Sequence, residues 1–187
     1  RRAAILAAAG EVFAQLGLAR ATLRDVAEAA GVPKSVVLYY FGDREQLIGE
    51  LLESVLTPLL DAQREAVDAV GDPRDQLRSW LDVQFDSAAG LGAMRLHMQV
   101  AVEGAPEGAR KRLRRYDRDA SSLLSGLLER GHRDYCWQSP DAQASTVAVR
   151  ALVDGMRLAC IKEGWDADID GLRNVCRRAV LDLLVRM

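Results

Sequence analysis

Apolar residues recur at intervals of three and four along almost the whole chain, which is the spacing of one face of an α-helix. The first such stretch includes Ile5, Val12 and Phe13 and ends at Gly17. Similar stretches follow to the end of the sequence, and a polar loop is predicted at residues 131–140. No segment alternates apolar and polar residues in the manner of a β-strand. The pattern therefore predicts an all-α protein of about nine helices.

Residues 22–41 predict two short helices that are separated by a tight turn. Thr22 and Asp25 form a capping-box pattern at the start of the first of them. Gly31 turns the chain, and Pro33 suits the start of the second helix. Two helices of this length bury little surface alone, so we expect the first helix of the chain to pack across them. This is a helix-turn-helix arrangement, whose second helix projects its N-terminal end and fits the major groove of DNA.

The sequence TLRDVAEAAGVPKSVVLYYFGDREQLI resembles the DNA-binding signature of TetR-family transcriptional regulators. The Ala-x-x-Ala-Gly-Val turn, the Lys-Ser pair and the Tyr-Tyr-Phe end all lie in register with that signature. The resemblance implies a helix-turn-helix DNA-binding domain in residues 1–45 and an effector-binding and dimerisation domain in residues 46–187. The stretch AVRALVDGMRLACIKEG is also similar to the eighth helix of the family's choline-responsive branch.

The resemblance also implies a set of DNA contacts on the two short helices. Its members are Lys34 and Ser35 at base edges, Tyr39, Tyr40 and Arg44 at phosphates, Thr22 at a phosphate, and Arg24 at a base or a phosphate. The alternative for Lys34 and Arg24 is that they are ordinary solvated charges, and Tyr40 can equally belong to the core. Two positions depart from the family pattern, since Pro33 replaces a hydroxyl residue and Leu38 replaces a frequent aromatic.

The second predicted domain contains aromatic, methionine and polar side chains that can line an effector cavity. The candidates are Trp80, Gln84, Phe85, Met94, His97, Met98, Tyr116 and Met156. Among the polar groups, Gln84, His97 and Gln99 could orient a bound molecule. For each aromatic or methionine residue the alternative is ordinary core packing, and His97 is equally a core residue or a ligand contact.

Small residues recur at intervals of three and four in the predicted eighth helix, which lets another helix approach closely. With apolar residues of the ninth helix they predict a four-helix interface between two copies of the chain. The interface residues are Ala148, Leu152, Gly155, Met156, Ala159, Leu172, Val175, Ala179 and Leu183. The alternative is that alanine is simply abundant in this sequence.

Composition excludes several classes of protein. The chain is 49% hydrophobic and 28% charged with a net charge of −2, which is typical of a globular protein. No apolar run reaches the ~18–20 residues of a membrane-spanning helix. The three cysteines lack CxxC spacing, so a reducing cytoplasm is favoured over a disulfide framework or a zinc site. The sequence begins with Arg1 rather than Met, so we expect a leading segment before it.

The remaining features do not indicate an enzyme, a metal or a cofactor. We find no nucleophile–base pair, no metal triad and no phosphate-binding glycine loop, and His132 with Cys136 supplies too few ligands for a metal site. The basic run at residues 110–115 is interpreted as a solvated helix end. We therefore expect a homodimeric repressor that binds a palindromic operator and is released by a small-molecule effector. The alternatives are an activator of the same fold and a helical interaction module without DNA binding.

Overall fold

The computed structural model describes residues 1–69, 71–85, 92–103, 105–138, 141–163 and 168–186. These ranges contain nine α-helices and no strand, which confirms the predicted all-α class. The helices are α1 Arg2–Leu16, α2 Leu23–Ala29, α3 Lys34–Phe41, α4 Arg44–Asp68, α5 Pro73–Phe85, α6 Gly92–Glu103, α7 Glu107–Arg133, α8 Ala142–Glu163 and α9 Ile169–Arg186. No helix in the described ranges is both long and apolar enough to cross a bilayer.

The chain packs as two compact units. Unit 1 comprises Arg1–Thr57 with Arg95–Tyr116, and unit 2 comprises Pro58–Met94 with Asp117–Met187. The helices α4 and α7 therefore each contribute residues to both units. The functional boundary after residue 45 stays a prediction, because these units describe packing and not DNA or effector binding.

In unit 1, the helix α1 packs on α2, and α2 packs on α3, as the short lengths of α2 and α3 require. The three helices bury an apolar face each, with the residues Ile5, Ala9, Val12 and Phe13 of α1, Val26 and Ala27 of α2, and Val37 and Phe41 of α3. The guanidinium of Arg2 also lies 5.4 Å from the ring centroid of Phe41. Burial of this shared core holds the two short helices in place.

The helix α4 continues through Pro58 without interruption. Proline has no backbone N–H, so one turn of α4 lacks a backbone hydrogen bond at this position. Pro58 is also the residue at which α4 passes from unit 1 to unit 2. The expected weak point of the helix therefore coincides with the boundary between the two units.

In unit 2, the helix α5 packs against both α8 and α9, and α8 packs against α9. The core of this unit contains side chains from four helices, including Leu77, Trp80, Leu81 and Phe85 of α5, Leu124 and Leu128 of α7, Val149 and Val153 of α8, and Cys176, Val180 and Leu184 of α9. The side chain of Arg177 on α9 forms an ion pair with Asp82 on α5. Apolar burial thus supplies the packing, and this pair links α9 to α5.

The prediction of a polar loop from residue 131 is wrong at its beginning, because α7 continues through Gly131 to Arg133. The indole of Trp137 lies in the space that a Cβ at Gly131 would need, and its Nε1 donates a 2.8 Å hydrogen bond to the Leu128 carbonyl. Trp137 and Cys136 are both buried. The ring therefore covers the glycine, which explains why a helix tolerates Gly131 near its end.

Candidate nucleic-acid interface

The start of α2 is fixed by a reciprocal pair of hydrogen bonds between Thr22 and Asp25. The Asp25 backbone N–H donates to Thr22 Oγ1 at 3.3 Å, and the Thr22 backbone N–H donates to Asp25 Oδ2 at 2.8 Å. The predicted capping box is confirmed. The hydrogen bonds from the Thr22 side chain and backbone hold the pKa of Asp25 below its ordinary value. Thr22 itself is exposed, so its hydroxyl lies at the surface beside the first turn of α2.

The turn between α2 and α3 depends on Gly31. Its φ is +64°, a conformation that L side chains rarely adopt. The Gly31 N–H donates to the Glu28 carbonyl at 3.1 Å, and the Val32 N–H donates to the Ala27 carbonyl at 3.0 Å. These bonds close the end of α2 and direct the chain into Pro33, which is the N-cap of α3.

The helix α3 has one buried face and one exposed face. Val37 and Phe41 are buried, whereas Lys34 and Ser35 in its first turn are exposed. Tyr39 is 83% exposed, which is unusual for an aromatic side chain. The start and the outer face of α3 are therefore available to a partner.

The two tyrosines of α3 differ in their surroundings. Tyr40 is half-buried, and its ring lies 5.3 Å from that of Tyr39 in an edge arrangement and 6.4 Å from that of Phe41. Tyr40 therefore supports the core side of the helix while Tyr39 faces outward. Arg24 on α2 is also exposed. We define the DNA-facing edge as Thr22, Arg24, Lys34, Ser35 and Tyr39, and its contacts with DNA stay a prediction.

Arg44 differs from the other residues predicted to contact DNA, because its guanidinium is used within the protein. Nε donates a 3.0 Å hydrogen bond to the Ala21 carbonyl, and Nη2 donates to the Leu18 carbonyl. These bonds tie the first residue of α4 to the segment that precedes α2. The phosphate contact of Arg44 stays a prediction, and the described contacts give this residue a positioning role.

Two contacts inside unit 1 join α6 and α7 to the helices around α3. Gln99 Nε2 on α6 donates a 2.8 Å hydrogen bond to the carbonyl of Phe13 on α1. Arg112 on α7 lies against Gly49 on α4, where a Cβ would be 2.7 Å from its Nη1, and its Nε is 3.6 Å from Glu53 Oε2. The amide of Gln99, considered above as a group that could orient an effector, is therefore engaged with the protein backbone.

The residues predicted to line an effector cavity do not all lie together. Trp80, Gln84 and Phe85 are buried in unit 2, where half-buried Met156 packs on the same core. Three other predicted residues belong to unit 1, where they are half-buried: His97, Met98 and Tyr116. The side chain of Met94 lies outside the described residues. We call Trp80, Gln84, Phe85 and Met156 the effector region.

Sequence reasoning missed Arg157, which is 5% exposed and adjoins the effector region. Its Nη1 lies 3.4 Å from Gln84 Oε1 and 3.4 Å from Asp154 Oδ1. The signal in the sequence is its spacing, since Val149, Val153 and Arg157 follow one another at intervals of four on α8 and all are buried. Arginine is rarely found on a buried helix face, and therefore the residue type alone does not suggest that Arg157 is buried.

The residues predicted to form the dimer interface are all half-buried or exposed in the single chain. Val175 is 55% exposed, and a Cβ at Gly155 would meet none of the described atoms within 4 Å. Leu152, Leu172 and Leu183 pack partly against the core of unit 2. The helices α8 and α9 thus present an apolar face whose role in dimerisation stays a prediction.

Two of the cysteines are buried free thiols. Burial raises the pKa of Cys176 to about 11, and burial together with the charge of Asp72 raises the pKa of Cys136. His132 is exposed. In the described part of the chain no three His, Cys, Asp or Glu side chains converge to hold a metal ion.

The three N-terminal helices contain a helix-turn-helix, and its second helix, α3, has an exposed outer face. Together with the helices that follow, this arrangement defines a helix-turn-helix transcriptional regulator. Residues 5–51 match the family described as bacterial regulatory proteins, tetR family. The chain is 31% identical over 160 residues to the HTH-type transcriptional regulator BetI of Stenotrophomonas maltophilia, covering 84% of this chain and 80% of that protein. The chain belongs to the TetR family of transcriptional regulators.

Solved structures share the fold over nearly the whole chain. FadR from Bacillus subtilis, in complex with stearoyl-CoA, has a TM-score of 0.80 at 19% identity and covers 99% of this chain and 98% of its own. A transcriptional regulator from Saccharomonospora viridis, in complex with choline, has a TM-score of 0.82 at 18% identity, with 95% and 93% coverage. At these identities the likeness concerns the fold.

Proposed function

We propose that the chain is a homodimeric repressor that binds a near-palindromic operator through α3 and leaves it when a small-molecule effector binds. The observation that carries this proposal is the exposed first turn of α3 above a buried face. Lys34 and Ser35 are free to reach base edges in the major groove, while Val37 and Phe41 anchor the helix. Thr22 and Arg24 at the start of α2 then contact phosphates, and these contacts set the register of the protein on the DNA.

A second copy of the chain accounts for the palindrome. A two-fold dimer presents two copies of α3 to half-sites about one helical turn of DNA apart, or a multiple of it. The apolar face of α8 and α9, with Val175 exposed and Gly155 open, supports pairing of these helices with those of a second copy. Small residues on α8 allow close approach, and the exposed apolar side chains supply the area to be buried.

Release by an effector needs a link between its site and α3. We place the effector in unit 2, around the effector region, because the aromatic and methionine side chains there offer apolar surface to a small molecule. Two fold neighbours were solved in complex with small molecules, one with stearoyl-CoA and one with choline. The helix α4 reaches from unit 2 to the segment before α2, to which Arg44 is bonded. A coupling free energy of about 1–3 kcal/mol between the two sites is enough to change operator affinity 5- to 150-fold.

The test is a titration of the purified chain with a labelled DNA fragment from upstream of its own gene, at several salt concentrations. We expect two chains per site and a steep linear fall of log affinity with log salt, because phosphate contacts release counterions. A scrambled fragment of equal length is the control. Salt-independent or absent binding would favour the interaction module. A promoter–reporter fusion then separates repression from activation by the sign of the change.

A further inference from the structure

The exposed face of α3 carries one aliphatic side chain among the residues proposed above to contact DNA. The structure describes all eight residues of α3, and four of them are exposed: Lys34, Ser35, Leu38 and Tyr39. Leu38 is 40% exposed, whereas the neighbouring Val37 is completely buried. The side chain of Leu38 therefore reaches the outer face of the helix.

Helix geometry places Leu38 between Lys34 and Ser35 when α3 is viewed along its axis. An α-helix turns by about 100° per residue, so Leu38 lies about 40° from Lys34 and about 60° from Ser35, on opposite sides. It is also about 6 Å further along the axis than Lys34. Residues three and four apart are neighbours on a helix surface. A major groove that receives Lys34 and Ser35 therefore meets Leu38 as well.

An aliphatic side chain can recognise one feature of the major groove. The base edges there present hydrogen-bond donors and acceptors, which leucine cannot pair, and the C5 methyl group of thymine, which it can contact. Leucine placed against a polar edge would instead displace water without replacing its hydrogen bonds, and this costs free energy. The chemistry of Leu38 therefore fits a thymine.

We infer that Leu38 is a specificity-determining residue that packs on the C5 methyl group of a thymine in each half-site. This inference rests on the proposed function and goes beyond it, because the base contacts proposed above are those of Lys34 and Ser35. The contact favours thymine over cytosine, which presents an amino group and no methyl group in the major groove.

The experiment uses a duplex that the purified full chain selects from a pool of random sequences. Each thymine of the half-site is replaced in turn by uracil, which lacks the methyl group and keeps the hydrogen-bonding edge, and affinity is measured by fluorescence anisotropy. We expect one position at which uracil weakens binding about 4-fold per half-site, as for one buried methyl group. A selected half-site without thymine, or no loss with uracil at any position, would overturn the inference.

Variants assign the methyl contact to Leu38. Leu38→Ala should bind the thymine and uracil duplexes equally, because the shortened side chain no longer reaches the methyl group. The Leu38 carbonyl still accepts the Gly42 N–H at 2.8 Å, so the bond that ends α3 is kept. Leu16→Ala on α1 is the matched control, since Leu16 is also 40% exposed, and it should keep the preference for thymine.

Leu38→Asn gives a second measurement, since asparagine has nearly the shape of leucine and no apolar end. It should lose the preference for thymine as Leu38→Ala does, and circular dichroism checks that each variant is folded. An undiminished preference for thymine in either folded variant would assign the methyl contact to another side chain and overturn the inference.

The same measurements separate this inference from the proposed function. Salt-sensitive binding of a selected duplex without an effect of the methyl group would overturn the role of Leu38 and leave the proposed regulator intact. If the chain enriches no duplex from the pool, the proposed function fails, and the role of Leu38 fails with it.

Discussion

The side-chain amide of Gln99 donates to the carbonyl of Phe13, and this 2.8 Å bond joins α6 to the last turn of α1. The same carbonyl accepts the Gly17 N–H at 3.0 Å, which ends α1. Since α1 packs on α2 and α2 packs on α3, the bond connects α6 to the helices that carry the DNA-facing edge. The route from α6 to α3 therefore passes through two helices, α1 and α2.

Replacement of Gln99 by leucine should lower the free energy of unfolding by about 1 kcal/mol, because one hydrogen bond is lost while the Phe13 carbonyl keeps its backbone partner. Urea unfolding followed by circular dichroism measures this change. Gln15→Leu, at an exposed position of α1, is the matched control and should stay within about 0.5 kcal/mol of the parent chain. Equal stability of the two variants would show that the amide bond contributes nothing.

Two glycines of α7 should respond to alanine with opposite signs. At Gly126 the nearest atom to an added Cβ is Arg130 Nη1 at 3.8 Å, so alanine should stabilise the chain by about 0.5–1 kcal/mol through helix propensity. At Gly131 the added Cβ would collide with the Trp137 ring, and overpacking of this kind costs about 1–3 kcal/mol. Thermal unfolding of the two variants measures both changes. A rise in stability for Gly131→Ala would mean that Trp137 lies elsewhere.

Acid should weaken the start of α2 through Asp25. Its pKa is lowered in the folded chain, so its contribution is present at pH values above the unfolded pKa of about 4 and is lost as the pH falls through the lower folded value. Urea unfolding between pH 7 and pH 3 should show this loss. Thr22→Val removes the hydroxyl that holds the carboxylate and should make the acid dependence shallower, whereas an unchanged slope would exclude the cap as its source.

Lys34→Ala should weaken operator binding by about 1–3 kcal/mol and relax sequence preference, as expected for a base contact. Lys111→Ala removes the same charge from an exposed position of α7 and serves as its matched control. Electrophoretic titration against operator and scrambled DNA measures both effects. A loss that is equal for the two DNA fragments would reassign Lys34 to a phosphate.

Gly155→Arg should convert a dimer into monomers without unfolding the chain. The position is exposed and open among the described residues, so the monomer accommodates a long side chain, whereas a closely packed second copy cannot. Sedimentation velocity measures the molecular mass, and Gly155→Ala should remain dimeric. Dimers that persist in Gly155→Arg would place the interface on other helices.

The features that follow local rules could be predicted from the sequence. Apolar spacing predicts the helices, the Thr22–Asp25 pair predicts the cap, and the helix-turn-helix pattern predicts the exposed start of α3. These depend on residues within a few positions of each other. The exposure of these residues at the start of α2 and α3 could therefore be predicted, while their contacts with DNA stay a prediction.

Features that depend on distant residues could not be predicted in the same way. Gln99 is 86 positions from Phe13, and its polar character indicated a pocket as readily as a backbone bond. Arg157 continues the buried spacing of Val149 and Val153, but its charge argues against burial, and the packing of α8 on α5 decides the outcome. The extension of α7 past Gly131 depends on Trp137, whose ring folds back over the helix. The spacing of apolar residues along the chain does not predict this contact.

Lys34 and Ser35 contribute nothing to the packing that holds α3, since Val37 and Phe41 carry it from the opposite face. Exchange of the two outer side chains thus leaves the scaffold unchanged. Since we propose that Lys34 and Ser35 contact base edges, positions 34 and 35 are the natural starting point for directing this chain toward a chosen promoter.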